Sequence, residues 1–256
     1  MTNGISKNKI KYIHSLELKK TRKEEQVFLA ETPKLVQELL GKMHCNYLAA
    51  TADWLKQHPH VEADELAVVA PEELKKASLQ KTPQDVLGIF RQPHHTFQMD
   101  QIEHSLSLGL DGVQDPGNLG TIIRIADWFG IEDIFCSLDT VDVYSPKVIQ
   151  ATMGAIARVR VHYTPLAAFI QQFEGRLPIY GTFLDGANMY QKELTPNGLI
   201  IMGNEGNGVS KEIEKLVDRK LFIPNYPKDR STSESLNVAV ATSIVCAEFR
   251  RQVSFE

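Results

Sequence analysis

Three stretches of the chain place polar side chains directly after apolar runs, where a ligand or a reacting group could be held. They read DGVQDPGNLGTIIR at 111–124, MGNEGNGVS at 202–210 and IPNYPKDRSTSESLNVAV at 223–240. The candidate reactive groups are amides, a guanidinium, carboxylates and hydroxyls, and the stretches contain no histidine and no cysteine. Such groups can orient a substrate and stabilise charge, and they offer few ligands for a transition metal.

The glycine-rich loop at 203–208 has the wrong order for a phosphate site. Its spacing is Gly203-x-x-Gly206-x-Gly208, the reverse of the dinucleotide fingerprint, and no Lys-Ser/Thr pair follows. Glu205 would repel a phosphate. Backbone N–H and C=O groups would instead meet a neutral or cationic ligand, and the purely structural alternative is a tight turn capped by Ser210.

Each stretch also has an ordinary structural interpretation. Asn118 could be a helix N-cap, and so could Ser235. Arg124 could be a surface arginine paired with Asp127. At about 100° per residue, a helix does not put Asn118 and Arg124 on one face, so spacing alone does not predict their convergence.

The elements that carry these stretches predict an α/β domain with a parallel sheet. From residue 104 onward, near-continuous apolar runs alternate with helical patterns at 119–129, 146–155, 165–173, 210–218 and 235–250. Unalternating strands separated by helices indicate a sheet covered on both faces. Ligands of such sheets bind beyond the carboxyl ends of the strands, where all three stretches lie.

The first hundred residues predict a smaller α/β domain. We assign residues 1–98 to this domain and 104–256 to the larger one, with a polar linker at about 92–103. From Lys7 to Lys23 the chain carries seven Lys or Arg and one acid. This cluster is either a solvated helix face or a basic arm that touches phosphates.

Composition limits the remaining possibilities. The 256 residues carry a net charge of −4, which is not typical of a protein that coats nucleic acid non-specifically. Three widely spaced cysteines and the absence of a signal peptide or a bilayer-length apolar run favour a cytoplasmic protein with reduced thiols. Neither the cysteines nor the histidines have metal-ligand spacing, so no metal is expected.

Together the three stretches resemble the SpoU/TrmH family of RNA ribose 2′-O-methyltransferases. The matching motifs are N-x-G-x-x-x-R from Asn118, G-N-E-G-x-G at 203–208, and I-P with E-S-L-N-V-A at 223–239, supported by SPKVIQATMGA at 145–155. Residues 7–32 and 81–90 also resemble the ribosomal-protein-like RNA-binding domain that often precedes the methyltransferase domain. There this chain departs from the pattern, because Thr32 follows Glu31 where the family commonly has glycine.

The resemblance implies a trefoil knot near the C-terminus, S-adenosylmethionine as cofactor and a homodimer. Ordinary folds are essentially free of knots, so only the resemblance points to one. The cofactor would lie in the knot loops, against the residues that match the family's binding positions: Thr182, Gly203, Asn204, Ile223 and Leu236. The glycine loop would therefore hold a sulfonium compound and not a phosphate.

The implied reaction is in-line attack of a ribose 2′-hydroxyl on the cofactor's methyl group. The residues carried over as catalytic candidates are Asn118, Arg124, Glu205, Ser235 and Asn237. The family's arginine is a proposed base, but an arginine is normally protonated, so Arg124 could equally clamp a phosphate. The asparagines would orient loops and ribose, and Glu205 would contact RNA or fix the knot.

The N-terminal domain type favours ribosomal RNA over transfer RNA as substrate. The main alternative is a non-catalytic RNA-binding protein on a methyltransferase scaffold, and the complete set of candidate residues argues against it. A small-molecule or protein methyltransferase is a second alternative, which the basic cluster and the additional domain disfavour.

Overall fold

The computed structural model describes residues 2–227 and 235–253. The strands are β1 (Thr2–Asn3), β2 (Val27–Glu31), β3 (Cys45–Ala50), β4 (Glu65–Val68), β5 (Val86–Arg91), β6 (Leu106–Asp111), β7 (Asp133–Cys136), β8 (Arg160–Tyr163), β9 (Ile179–Asn188), β10 (Gly198–Gly203) and β11 (Arg219–Phe222). The helices are α1 (Lys7–Ser15), α2 (Lys19–Glu25), α3 (Pro33–Leu39), α4 (Ala52–Gln57), α5 (Pro71–Ala77), α6 (Met99–Glu103), α7 (Pro116–Trp128), α8 (Pro146–Thr152), α9 (Leu166–Gln171), α10 (Lys211–Glu214) and α11 (Val238–Gln252).

The chain divides into two compact units. The first contains 1–94 together with 142–157, and the second contains 95–141 and 158–256. The segment 142–157, which includes α8, therefore packs with the first unit although it lies far along the chain. The predicted domains, 1–98 and 104–256, were continuous segments, and their boundaries stay a prediction.

The first unit has a mixed five-stranded sheet in the order β1-β4-β3-β5-β2. β3 and β4 are parallel, whereas β5 runs antiparallel to both β3 and β2. One face buries apolar side chains from α1, α5 and the sheet, including Ile13, Leu16, Leu74 and Ile89. β2 was not among the predicted strands, because its five residues follow a charged run without a turn signal.

The basic cluster at 7–23 lies on two helices, α1 and α2, and its contact with phosphates stays a prediction. Ser6 caps α1 by accepting a hydrogen bond from the Lys9 amide. Arg22, counted among its cations, is buried and pairs with Asp142 while donating to the Leu16 and Glu17 carbonyls at 2.7 and 2.8 Å. The Arg22 guanidinium is therefore neutralised and hydrogen-bonded within the first unit.

The second unit confirms the predicted parallel sheet. Its order is β11-β9-β10-β6-β7-β8, and every pairing between these strands is parallel. β6 and β10 are buried along their whole length, which explains their unalternating apolar sequences. Leu199 and Ile201 pack against α9 and α10 residues on one face, and period-2 alternation directs Ile200 and Met202 to the other.

Local capping explains where the two helices nearest the candidate site begin. Asp115, and not Asn118, caps α7, because its side chain accepts from the Asn118 amide at 2.8 Å and Pro116 occupies the first turn. Asn237 caps α11 by accepting from the Ala239 and Val240 amides at 3.0 and 3.3 Å. The prediction that Ser235 begins this helix is wrong by three residues.

The predicted linker at 92–103 is partly ordered structure. It contains α6, and the Phe97 ring meets the Phe135 and Phe169 rings edge-on at 5.2 and 5.5 Å. This ring contact was not predicted, because Phe97 lies within a mostly polar stretch of sequence. The knot stays a prediction, and most of the connection at 225–234 lies outside the described residues.

Candidate functional site

The candidate site lies where the order of strand addition in the sheet of the second unit reverses. From β6 the strand order continues through β7 and β8 to one side and through β10, β9 and β11 to the other. Parallel sheets bind ligands at such a switch point, beyond the carboxyl ends of the strands. The connections that follow β6 and β10 meet there.

The loop after β10 is closed by its own backbone. Asn204 and Gly208 exchange both backbone hydrogen bonds at 2.9 Å. A Cβ on Gly203 would lie 2.2 Å from the Gly208 carbonyl carbon, so no larger residue fits there. Gly208 has φ +66°, a conformation that glycine adopts without strain.

Asn204 holds this loop against the connection after β6. Its side-chain oxygen accepts from the Gly206 and Asn207 amides at 2.9 and 3.0 Å, and its nitrogen donates to the Gly112 carbonyl at 2.6 Å. The polar atoms of the side chain are thus engaged within the protein. Any ligand contact at this predicted position would come from the backbone.

Glu205 joins the same two connections through its carboxylate. Oε1 accepts from the Asn118 side chain at 2.9 Å and from the Asp115 amide at 3.2 Å, while Oε2 accepts from the Gln114 amide at 3.3 Å. Burial alone would raise the pKa of Glu205, but these hydrogen bonds, with Asn118 foremost, outweigh it and lower the pKa. The group is an anion near neutral pH, which suits anchoring better than proton abstraction.

Asn118 connects Glu205 to the third stretch. Its side-chain oxygen accepts a hydrogen bond from the side-chain nitrogen, Nδ2, of Asn237 at 2.9 Å. Asn237 in turn caps α11. One continuous line of hydrogen bonds therefore links the three motifs, from Glu205 through Asn118 to Asn237.

A cavity of about 460 Å³ lies beside this line. An irregularity in β9 shapes one wall, because Lys220 pairs with Gly181 whereas the next residue, Leu221, pairs with Ala187. The residues between Gly181 and Ala187 leave the ladder with β11, and Thr182, Phe183 and Leu184 line the cavity. β9 itself continues to Asn188.

All five predicted cofactor positions line this cavity: Thr182, Gly203, Asn204, Ile223 and Leu236. Their contact with a cofactor stays a prediction. The sequence interpretation missed Phe183, Leu184 and Glu214, which also line it. The available signal was Gly186 within an otherwise continuous strand, since such a glycine often marks a bulge.

The charge of the cavity decides which ligands it suits. Among its described lining residues, the charged side chains are two carboxylates, Glu205 and Glu214, and none is lysine or arginine. Glu214 is paired with Lys220. Among the described residues a phosphate would find no cation other than Lys220, which is already paired with Glu214, whereas a neutral or positively charged ligand is compatible with the lining.

The other two catalytic candidates are Ser235 and Arg124. Ser235 lines the cavity together with Glu205. Arg124 is exposed on α7, and no hydrogen bond or ion pair joins it to another residue in the described part of the chain. Asp127, its expected partner as a surface arginine, is instead bound by Arg158 at 2.7 and 2.8 Å.

Within 2–227 and 235–253, no three or more His, Cys, Asp or Glu side chains cluster as metal ligands would. In the same ranges, no helix has the length and apolar character needed to cross a membrane.

A parallel α/β sheet with a cavity at its switch point, lined by no lysine or arginine among the described residues, is compatible with an uncharged or cationic organic ligand. Residues 105–247 match the SpoU rRNA Methylase family, and residues 7–88 match the MRM3-like substrate binding domain. The chain belongs to the SpoU rRNA Methylase family. The family and the methyltransferase class predicted from the three motifs are thereby confirmed.

Individual proteins are similar to this chain in sequence or structure over nearly its whole length. The 23S rRNA (guanosine(2553)-2′-O)-methyltransferase RlmP of Bacillus subtilis is 29% identical, covering 94% of this chain and 96% of its own. A TrmH-family protein from Porphyromonas gingivalis has a similar structure, with TM-score 0.87, 40% identity and coverage of 97% and 99%. The AdoMet-bound rRNA methyltransferase from Sinorhizobium meliloti gives TM-score 0.84 at 27% identity, with 99% of both chains covered.

Proposed function

We propose that this protein transfers a methyl group from S-adenosylmethionine to a ribose 2′-hydroxyl of ribosomal RNA. The observation that carries the proposal is the line Glu205–Asn118–Asn237, which brings the three family motifs together beside the cavity. Similar proteins named as rRNA 2′-O-methyltransferases, and one solved with AdoMet bound, support both the substrate and the cofactor.

The residues present fit this cofactor. Backbone groups of the 203–208 loop and apolar side chains such as Ile223 and Leu236 can hold an adenine and a ribose. The Glu205 carboxylate, in a lining without lysine or arginine among the described residues, is compatible with a positively charged sulfur. Bound S-adenosylmethionine supplies the methyl group as an electrophile that needs no metal.

The protein's own contribution is orientation. Reaction requires the hydroxyl and the methyl group to approach within about 3–3.5 Å, and rigid positioning accounts for a large part of such rate enhancements. Glu205 fixes the connection after β6 with three hydrogen bonds, and Asn118 holds Asn237 at the start of α11. These three residues are assigned positioning roles.

Arg124 is assigned the role of a phosphate clamp on the substrate. It is exposed and has no ion pair among the described residues, so its guanidinium is available. A planar fork of donors binds a phosphate in two hydrogen bonds. The hydroxyl proton would pass to the clamped phosphate, to Ser235 or to water.

We further propose that the active form is a homodimer. Exposed apolar side chains of the second unit include Trp128 at 85%, Leu184 at 75%, Val240 at 50% and Leu236 at 48% exposure. Leu184 and Leu236 both line the cavity, and a contiguous apolar patch there would be typical of an interface. The knot and a cytoplasmic location remain parts of the same proposal.

The decisive experiment uses ribosomal RNA from cells that lack the protein. Purified protein, labelled S-adenosylmethionine and chelator are incubated with this RNA, and the labelled nucleotide is mapped by its resistance to alkaline cleavage. We expect one ribose to be methylated in vitro and to lack its methyl group in the deletion strain. RNA binding without methyl transfer would instead indicate the non-catalytic alternative.

A further inference from the structure

The first unit contains an open groove that is separate from the cofactor cavity. Its volume is about 560 Å³, within the range of small-ligand clefts, about 300–1,000 Å³. The polar side chains that line it include Thr32, Gln80, Lys81, Gln84, Lys147 and Gln150. Every lining residue belongs to the first unit, which includes α8.

Hydrogen bonds fix one wall of this groove. The buried Glu31 carboxylate accepts from the Ser78 hydroxyl and from the Leu79 amide, the latter at 3.2 Å. The Gln80 amide group then donates to the Gln150 side-chain oxygen at 2.9 Å. The connection after α5 is therefore held to both β2 and α8, so the groove is built into the unit.

Thr32 in this groove has a strained backbone. Its φ is +90°, in a region that β-branched residues rarely adopt and that costs about 1–3 kcal/mol. A glycine would adopt this φ without strain. Strain that persists where an easier residue exists is a reason to look for function at that position.

The two lysines of the groove have free charges. Lys81 and Lys147 are exposed, and neither forms an ion pair within residues 2–227 and 235–253. The groove contains a single carboxylate among its lining residues, Glu31, whose accepting oxygen is already engaged. The local charge therefore favours an anionic ligand.

The three glutamines of the groove add hydrogen-bonding groups to the charge of its lysines. The amides of Gln80, Gln84 and Gln150 both donate and accept, as the edges of nucleobases do. The apolar side chains of Leu29 and Ile149 in the lining are buried beneath the groove, so its accessible surface is formed mainly by the polar side chains. Phosphates and base edges together are the chemistry of a polynucleotide segment with splayed bases.

We propose that this groove binds an unpaired segment of the RNA substrate, with Lys81 and Lys147 on its phosphates and the glutamines on its bases. The inference deepens the proposed function, on which it rests. It assigns to α8, a segment of the methylase-family match, a role in holding RNA on the first unit. The groove raises affinity for RNA and takes no part in methyl transfer.

The test compares two double variants with equal loss of charge. Lys81→Ala/Lys147→Ala removes the groove lysines, and Lys75→Ala/Lys76→Ala removes two exposed lysines of α5 outside the groove. The probe is ribosomal RNA from the deletion strain, and binding is measured from 50 to 200 mM salt. For the groove variant we expect about tenfold weaker binding and a log–log salt slope smaller by about 1.4, since each single-strand phosphate contributes about 0.7.

Kinetics separate binding from chemistry. The groove variant should show a raised KM for RNA with kcat and cofactor affinity unchanged, which is the signature of lost uniform binding. The α5 variant should stay within about twofold of the wild type in every measurement. Ultraviolet crosslinking should attach RNA to peptides containing 79–84 or 146–150 in the wild-type protein.

Two results would overturn the groove assignment. One is equal RNA affinity and salt slope in the two double variants. The other is saturable binding of guanosine monophosphate that the groove variant loses while its RNA affinity stays that of the wild type, which would indicate a mononucleotide site. Failure of the wild type to methylate any ribose would contradict the proposed function, whereas the binding measurements would still decide the groove.

Discussion

The side-chain nitrogen of Asn118 donates a hydrogen bond of 2.9 Å to Oε1 of Glu205, across 87 positions of the chain. Glu205 has two further donors, the amides of Gln114 and Asp115, so its carboxylate collects three hydrogen bonds from one connection. A carboxylate held in this way fixes the geometry of its neighbours. This relationship explains why a glutamate stands among glycines where a phosphate loop would have none.

The first prediction concerns Glu205→Gln. A glutamine has one accepting oxygen and adds an N–H₂ group opposite existing donors, so at least one hydrogen bond is lost. Because small misplacements at a reacting centre are costly, we expect the single-turnover methylation rate to fall about 10²-fold. Cofactor affinity, measured by calorimetry, should change much less.

Glu212→Gln provides the matched control, since Glu212 is exposed in the first turn of α10 and does not line the cavity. Its methylation rate should equal that of the wild type. A wild-type rate in Glu205→Gln as well would remove Glu205 from the positioning role.

The second prediction is a pH dependence of stability at Asp133. Burial alone would raise the pKa of Asp133, but the hydrogen bonds and charges of Arg160 and His162 outweigh it and lower the pKa to about 2, from 3.8. An acid with a lowered folded-state pKa stabilises the fold above its unfolded pKa and loses that effect as pH falls through the folded value. The contribution, about 2 kcal/mol, should be complete at neutral pH and disappear between about pH 4 and pH 2.

Asp133→Asn tests this dependence by urea unfolding at several pH values. The free energy of unfolding of the variant should fall below that of the wild type at pH 6, and the difference should shrink steadily below about pH 4. Asp139→Asn, at a carboxylate with no ion pair in the described part of the chain, is the control. A difference that does not vary with pH would contradict the assignment of the shift to ionised Asp133.

Much of the second unit could be predicted from sequence, because the signals there are local. Each of its apolar runs became a strand of the parallel sheet, and the switch-point rule located the three motif loops together. The line from Glu205 to Asn237 could not be predicted, since helix geometry alone gives no contact between α7 and α11. Those hydrogen bonds depend on long-range pairing of β6 with β10.

The features of the structure that the sequence did not predict also have specific causes. The start of α11 was misplaced because Ser235 and Asn237 are both good N-caps, and only the backbone geometry selects Asn237. The irregularity in β9 depends on its register with β11, which sequence does not fix. The packing of 142–157 with the first unit depends on partners such as the Arg22–Asp142 ion pair, 120 positions apart.

The third prediction concerns the strain at Thr32. Replacing it with glycine allows φ +90° without a Cβ clash, although it adds freedom to the unfolded chain. The relief should exceed the entropic loss, so we expect Thr32→Gly to raise the free energy of unfolding by about 1 kcal/mol. Urea unfolding at neutral pH measures the difference.

Thr82→Gly is the control for Thr32→Gly, because Thr82 lines the same groove and lacks a positive φ. It should destabilise the protein slightly through the unfolded chain. If Thr32→Gly lowered stability as much as Thr82→Gly, the strain at Thr32 would be refuted. RNA affinity measured on the same two variants would then show which threonine hydroxyl matters for binding.

The final prediction separates two roles for Arg124. As a phosphate clamp, Arg124 needs both its charge and its planar fork, so Arg124→Ala should lower the single-turnover rate by about 10²–10³ and Arg124→Lys by an intermediate amount. Cofactor affinity should be nearly unchanged in both, because Arg124 does not line the cavity. If Arg124 were instead the base, the lysine variant, with its lower intrinsic pKa of about 10.4, would gain rate steeply as pH rises above neutral.

Rates measured from pH 6 to pH 10 for the three proteins distinguish these roles. Parallel pH profiles with a lowered plateau in Arg124→Lys support the clamp, since the lost interaction is then geometric and not a proton transfer. A profile that rises only in Arg124→Lys supports the base. Wild-type turnover in Arg124→Ala would contradict both, and Arg124 would then be an exposed arginine that happens to lack a partner, because Asp127 is already bound by Arg158.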